Sequence, residues 1–110
     1  MTNQTAGRDQ LGALAPQFAA LNDDVLFGEV WAQPDLSARD RSLITVSALM
    51  AQGLFPQLAA HMAIAKANGV TCAEMVALVT HLAFYAGWPK AWSAFDLIKQ
   101  TYGEDDDKLD

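Results

Sequence analysis

Apolar residues recur every three or four positions along most of this chain, and glycines interrupt the pattern. The clearest stretch is Met75, Leu78, Val79, Leu82 and Ala86, at i, i+3, i+4, i+7 and i+11. Ala91, Ala94, Phe95, Ile98 and Tyr102 repeat the spacing. An α-helix turns about 100° per residue, so each set forms one continuous stripe. β-Branched residues are scattered and no run alternates with period two, which leaves no strand signal. The fold class read from this pattern is all-α, a helical bundle of about six helices.

Local signals set the boundaries. A weak helix is expected over about 8–20, interrupted by Pro16. Asn22 can cap a short helix to about Trp31, with Asp23 and Asp24 in its first turn, where the dipole favours acids. Pro34 ends it, and Ser37 with Asp40 three residues on opens the next, to about Gln52. After Ser42 that helix is apolar on most sides, through Leu43, Ile44, Val46, Leu49 and Met50, and so belongs at the centre of a bundle or at an interface. Gly53 closes it. The following helix spans about Phe55 to Asn68 and ends at a left-handed cap, Asn68-Gly69. Thr71-Cys72-Ala73-Glu74 reads as a full capping box, Gly87 breaks the helix it starts, and Pro89 suits the first turn of the last.

Bulk properties narrow the function classes. A chain of 110 residues with 52% hydrophobic content is one domain by size and can bury a core. The organisation expected is a disordered N-terminus 1–7, a helical domain 8–103 and an acidic tail 104–110. The formal charge is −6, of which Glu104 to Asp110 contribute five acids and one lysine. That balance argues against nucleic acid as a partner. A single cysteine, Cys72, excludes an intrachain disulfide and suits a reducing compartment. No apolar run reaches the roughly 18 residues of a membrane helix, and Met1 to Gln10 lacks the apolar centre of a signal peptide. No membrane partner and a cytoplasmic location are the expectation.

Several residues could carry chemistry. His81, Tyr85 and Trp88 fall on one helical face at i, i+4 and i+7, with Glu74 seven residues upstream. Such a stripe is an aromatic seam at a subunit contact or the wall of a small polar pocket. His61 leans toward an apolar face between Leu58 and Ala65, as a packed core histidine or a functional one. Glu29 sits among Phe27, Val30 and Trp31; it lies either on a solvated helix face or enclosed there, where its carboxyl would be raised toward neutrality and could act as acid or base. Arg39 and Arg41 could hold a substrate carboxylate, or pair with Asp35 or Asp40. Glu74 is most simply the capping-box partner, and Cys72, at a first helical position, a small neutral residue. Two histidines twenty apart with one cysteine match no usual metal-ligand spacing, so no metal is expected. There is no glycine-rich phosphate loop and no nucleophile elbow.

Taken together, Arg39-Asp40-Arg41-Ser42-Leu43-Ile44-Thr45-Val46, Leu58-x-x-His61 with Ala65, Asn68-Gly69-Val70-Thr71, and His81-Leu82-Ala83-Phe84-Tyr85-Ala86-Gly87-Trp88-Pro89-x-Ala91 resemble the carboxymuconolactone decarboxylase family. The resemblance runs from about Phe27 to Tyr102. It implies the alkyl hydroperoxidase D-like helical fold with a central hairpin, and homo-oligomers, trimers or hexamers, with pockets near subunit contacts. The peroxidase branch of that fold uses a Cys-x-x-Cys pair, because peroxide reduction must end in a resolved disulfide. Here the corresponding helix reads Gln57-Leu58-Ala59-Ala60-His61, without cysteines. The resemblance therefore implies a decarboxylase-like lyase of aromatic-compound degradation, acting without a cofactor on a small lactone or carboxylate. By resemblance His61 is the first choice as acid or electrostatic stabiliser, and Glu29 and His81 the second. Arg39 and Arg41 would orient carboxylates, and Tyr85 and Trp88 would shape the pocket. The alternatives are a thiol-dependent peroxidase using Cys72 and a non-catalytic oligomer held by the aromatic stripe.

Overall fold

The computed structural model describes residues 4–107, with side chains as far as Gly103. In chain order it contains α1 (Ala6–Leu11), α2 (Pro16–Ala20), a π-helical segment (Leu21–Val30), α3 (Ala38–Gln52), α4 (Phe55–Ala67), α5 (Cys72–Ala86) and α6 (Trp88–Asp107). No strand occurs among the described residues, so the protein is all-α, as the periodicity requires. The chain divides into two compact units, residues 1–38 and 39–110. The side chains of the expected acidic tail lie outside the described residues.

In the first unit α1 begins at Ala6, inside the stretch expected to be disordered. Its cap comes from far along the chain. Thr5, at the N-cap position, makes no side-chain capping bond. Instead Asp23, 3% exposed, accepts the Gly7 amide at 2.9 Å and the Arg8 amide at 3.0 Å. These are the donors that a helix start leaves without an intrahelical partner. Asn22 Nδ2 donates to the same carboxylate at 3.0 Å, and the Arg8 guanidinium pairs with Asp23 and Asp24 at 3.3 and 2.5 Å. The sequence reading of Asn22 as an N-cap is thereby corrected. The backbone at Ala20 and Leu21 is already helical, so α2 runs directly into the π-helical segment and no helix start exists at Asn22.

Gly7 is dictated by this arrangement. A Cβ there would lie 2.7 Å from Asp23 Oδ1 and 2.9 Å from the Ala19 carbonyl oxygen. Gly7→Ala should therefore destabilise this unit by about 1–3 kcal/mol through overpacking, read as a loss of amide-exchange protection in α1. Acid should have a related effect. Burial alone would raise the Asp23 carboxyl, but bonds from Asn22, Arg8 and Gly7 and the Arg8 charge outweigh it and hold it below the ordinary 3.8. A depressed native carboxylate stabilises the fold above its unfolded value, and the contribution disappears as pH falls through the native one. Protection of the Gly7 and Arg8 amides should thus fall below about pH 4, and Asp23→Asn should flatten that dependence.

The second unit is built around α6. Val46 and Met50 of α3, Leu58, Met62 and Ala65 of α4, Met75, Val79 and Ala83 of α5, and Ala91, Ala94, Ile98 and Tyr102 of α6 form one buried cluster. The stripes read from the sequence on α5 and α6 supply Met75, Val79, Ala91, Ala94, Ile98 and Tyr102 of it. α6 packs against both α5 and α4. Its alanines let the backbones approach, whereas α3 buries Val46 and Met50 and leaves Ile44 exposed. Polar ties fix the ends. Tyr102 donates its hydroxyl to the Val70 carbonyl at 2.7 Å, and Lys90 donates to the Ala51 carbonyl at 3.0 Å. Asn68 donates to the buried Ser42 hydroxyl at 3.0 Å.

The capping box of α5 is fully formed. Thr71 accepts from the Glu74 amide at 3.1 Å, and Glu74 accepts from the Thr71 amide at 3.0 Å. One residue, Gly87, joins α5 to α6, at φ 109 and ψ 144. That conformation is open to glycine and strained for any side chain, although a Cβ there would meet nothing within 4 Å.

Candidate functional site

His61 lies on α4 between the fully buried Leu58 and Met62, one turn before Ala65. The residue is half-buried and its Nδ1 is shielded from solvent. Burial pushes the imidazole below its ordinary 6.5, so it is neutral at pH 7. A neutral imidazole accepts a proton at one nitrogen and donates a hydrogen bond from the other.

The other candidates belong to several elements. His81 and Tyr85 are exposed, their rings 5.1 Å apart and tilted by 34°. Trp88 does not continue the stripe. It meets Phe84 edge-on at 5.8 Å, because α5 ends at Ala86 and Gly87 redirects the chain before the i+7 register is reached. Glu29 belongs to the first unit and is exposed. There the π-helical segment turns Phe27 and Trp31 inward, stacked at 5.7 Å, and leaves Glu29 outside the enclosure its neighbours suggested.

Arg39 pairs with Glu74, and more loosely with Asp40 at 3.9 Å, which ties the start of α3 to the start of α5. The Thr71 amide holds the Glu74 carboxyl below its ordinary value against the cost of desolvation, with the Thr71 side chain and Arg39 assisting. Arg41 is half-buried. Cys72 is buried at the first position of α5, where a peroxide would not reach it directly.

A well-formed concavity lies elsewhere. A cavity of about 310 Å³ opens between α5 and α6, lined by Ala83, Ala91 and Phe95, by the exposed Trp88 and Trp92, and by Thr80, Asp96 and Lys99. Of the candidate site residues named from the sequence, Trp88 alone lines it. Trp92, Asp96 and Lys99 were missed, although with Trp88 they stand at i, i+4, i+8 and i+11 beside the core stripe of α6. A polar and aromatic row at that spacing was the available signal. Among the described residues no group of His, Cys, Asp and Glu could hold a metal ion, and no helix is long and apolar enough to cross a membrane.

Comparison with known proteins gives this geometry a context. The model of the carboxymuconolactone decarboxylase family matches residues 16–100. A 4-carboxymuconolactone decarboxylase of Acinetobacter baylyi is 36% identical over 76 residues, 69% of this chain and 57% of that protein. Nitrosuccinic acid decarboxylase of Metarhizium robertsii is 34% identical over 82 residues, 74% of this chain and 57% of that protein. An uncharacterised 15.0 kDa protein of Paracoccus denitrificans is 28% identical over 97 residues, 86% of this chain and 72% of that protein. The chain thus spans little more than half the length of either decarboxylase. On the match over 16–100 and the identity to the Acinetobacter baylyi enzyme, the chain belongs to the carboxymuconolactone decarboxylase family.

Proposed function

We propose that the protein is a lyase that releases carbon dioxide from a small carboxylic acid carrying an electron-withdrawing group. The half-buried, neutral His61, within the matched residues 16–100, is the observation that carries this reading. The names of the two decarboxylases support the substrate class. In carboxymuconolactone the lactone carbonyl can accept an electron pair, and in nitrosuccinic acid the nitro group can. When the bond to the carboxylate carbon breaks, its electron pair moves into that acceptor and carbon dioxide leaves. A proton then returns to carbon. The chemistry needs no cofactor; it needs hydrogen-bond donors at the acceptor oxygen and a proton donor at carbon.

In this reading the neutral His61 donates a hydrogen bond to the oxygen where charge develops, or shuttles the proton. Arg41, and Arg39 on release from Glu74, orient the carboxylate. Glu29 and His81 are secondary candidates as acid or base. A lactone from aromatic-compound degradation is the first substrate to try, and a cytoplasmic setting suits a chain with one cysteine. Purified protein incubated with lactone carboxylates and nitro carboxylates should release carbon dioxide from at least one of them. Release no faster than the uncatalysed rate across both classes would overturn the reading.

We further propose a homo-oligomer, trimer or hexamer, formed through the exposed end of α5. Phe84 and Tyr85 are 76% and 79% exposed, which is unusual for adjacent aromatics on a monomer. Phe84→Asp should shift the sedimentation coefficient to that of a smaller species while the helical signal is retained. An unshifted coefficient would remove this face from the contact.

A further inference from the structure

We propose that the cavity between α5 and α6 is a second small-molecule site, selective for a planar aromatic compound with a zwitterionic head, the class of the aromatic amino acids. Its volume, about 310 Å³, falls at the lower end of the range of roughly 300–1,000 Å³ for small-molecule pockets. The walls suit a flat ring. Trp88 and Trp92 stand 58% and 68% exposed at the opening, and Phe95 is half-buried beside the small, buried Ala83 and Ala91. Indole and phenyl faces stack on planar ligands, and the two alanines leave the space that a larger side chain would fill.

The polar lining selects the head group. Asp96 accepts hydrogen bonds only and Lys99 donates only. They lie one turn apart on α6, and among the described residues neither side chain makes an ion pair or hydrogen bond. A simple anion at the opening would meet Lys99 but face Asp96, and a simple cation the reverse. A head with an ammonium and a carboxylate satisfies both. His61 does not line this cavity, so the site is distinct from the His61 site proposed for decarboxylation, and Trp88, expected from the resemblance to shape that pocket, is assigned here instead.

Calorimetric titration of the full chain with tryptophan, tryptamine, indole-3-propionate and glycine tests the assignment. Tryptophan should bind saturably, the amine and the acid each about tenfold more weakly for want of one charge pair, and glycine not at all. Trp92→Ala, a change at an exposed position, should weaken tryptophan about tenfold, the cost of losing one stacking wall. Lys99→Gln should erase the preference over the amine, and Asp96→Asn the preference over the acid. His61→Ala should leave binding unchanged, which separates this site from the decarboxylase reading. Equal weak binding of all four compounds, affinity unaffected by Trp92→Ala, or an oligomer in which a second copy fills the cavity would each overturn the proposal.

Discussion

Met75→Ala should cost the 39–110 unit about 2–5 kcal/mol, measured as a fall in the midpoint of denaturant unfolding. Met75 has no exposed surface and belongs to the cluster that joins α3, α4, α5 and α6. Removing its side chain loses the transfer free energy of the deleted atoms and leaves a void that neighbours on four helices cannot all move to fill. Since small domains are stable by only about 5–15 kcal/mol, this is a large fraction of the total. Met75→Leu, close in volume, should cost under about 1.5 kcal/mol. Phe84→Ala is the informative contrast. That residue sits on the same helix but is 76% exposed, so its loss should change unfolding of the single chain by no more than about 0.5 kcal/mol. Equal losses at Met75 and Phe84 at low protein concentration would mean that the buried face of α5 is misassigned.

The same helix shows why much of the fold was legible in the sequence. Met75 and Val79 of the stripe read from the spacing are buried, Leu78, Leu82 and Ala86 pack half-buried against the core, and Ala83, which that stripe left out, is buried as well. Thr71 and Glu74 announced where α5 begins, and Gly87 where it ends, because caps and left-handed turns are short-range chemistry. The first unit was less legible for the opposite reason. α1 is capped by Asp23, sixteen residues beyond Gly7, and no local motif encodes a cap supplied from that distance. Asn22 resembled a cap because its residue type is right, but the helix had already begun upstream and no donors were left for it. The π-helical segment leaves Glu29 exposed, the solvated alternative that its sequence reading already held.

The site was legible in identity more than in geometry. His61 stood out because an imidazole on an apolar helix face is uncommon, and burial gives it the neutral state that such a face implies. The His81, Tyr85 and Trp88 stripe depended on a helix continuing through Gly87, and one residue of non-helical backbone was enough to hand Trp88 to Phe84. Arg39 was read against its sequence neighbours Asp35 and Asp40, whereas its closer partner, Glu74, lies thirty-five residues away. Lys99 and Asp96 belonged to no named motif, only to a polar and aromatic row at helical spacing. Their significance appears only when α5 and α6 close a cavity beneath them.

His61→Ala should lower kcat on any substrate that the protein decarboxylates by about 10²–10⁴, the range for a positioned acid or base. The pH profile should distinguish this from a structural effect. Burial holds the imidazole below 6.5, so the neutral form dominates at pH 7. If that form is the active one, kcat should be level above neutrality and fall as pH drops through the native value below 6.5. Stability shares the sign: a histidine kept neutral in the fold supports it above the unfolded value, and that support is lost in acid. Both effects are read in one variant, and measuring the folded fraction at each pH separates them. His61→Gln cannot titrate, so its residual rate should lose the acid limb while its unfolding midpoint also becomes less dependent on pH. Arg41→Met should instead raise KM with a smaller fall in kcat, because it removes the grip on the carboxylate in ground and transition states alike. An acid limb that survives His61→Gln, at folded fractions shown to be complete, would transfer the titrating role to another group and leave His61 as packing in α4.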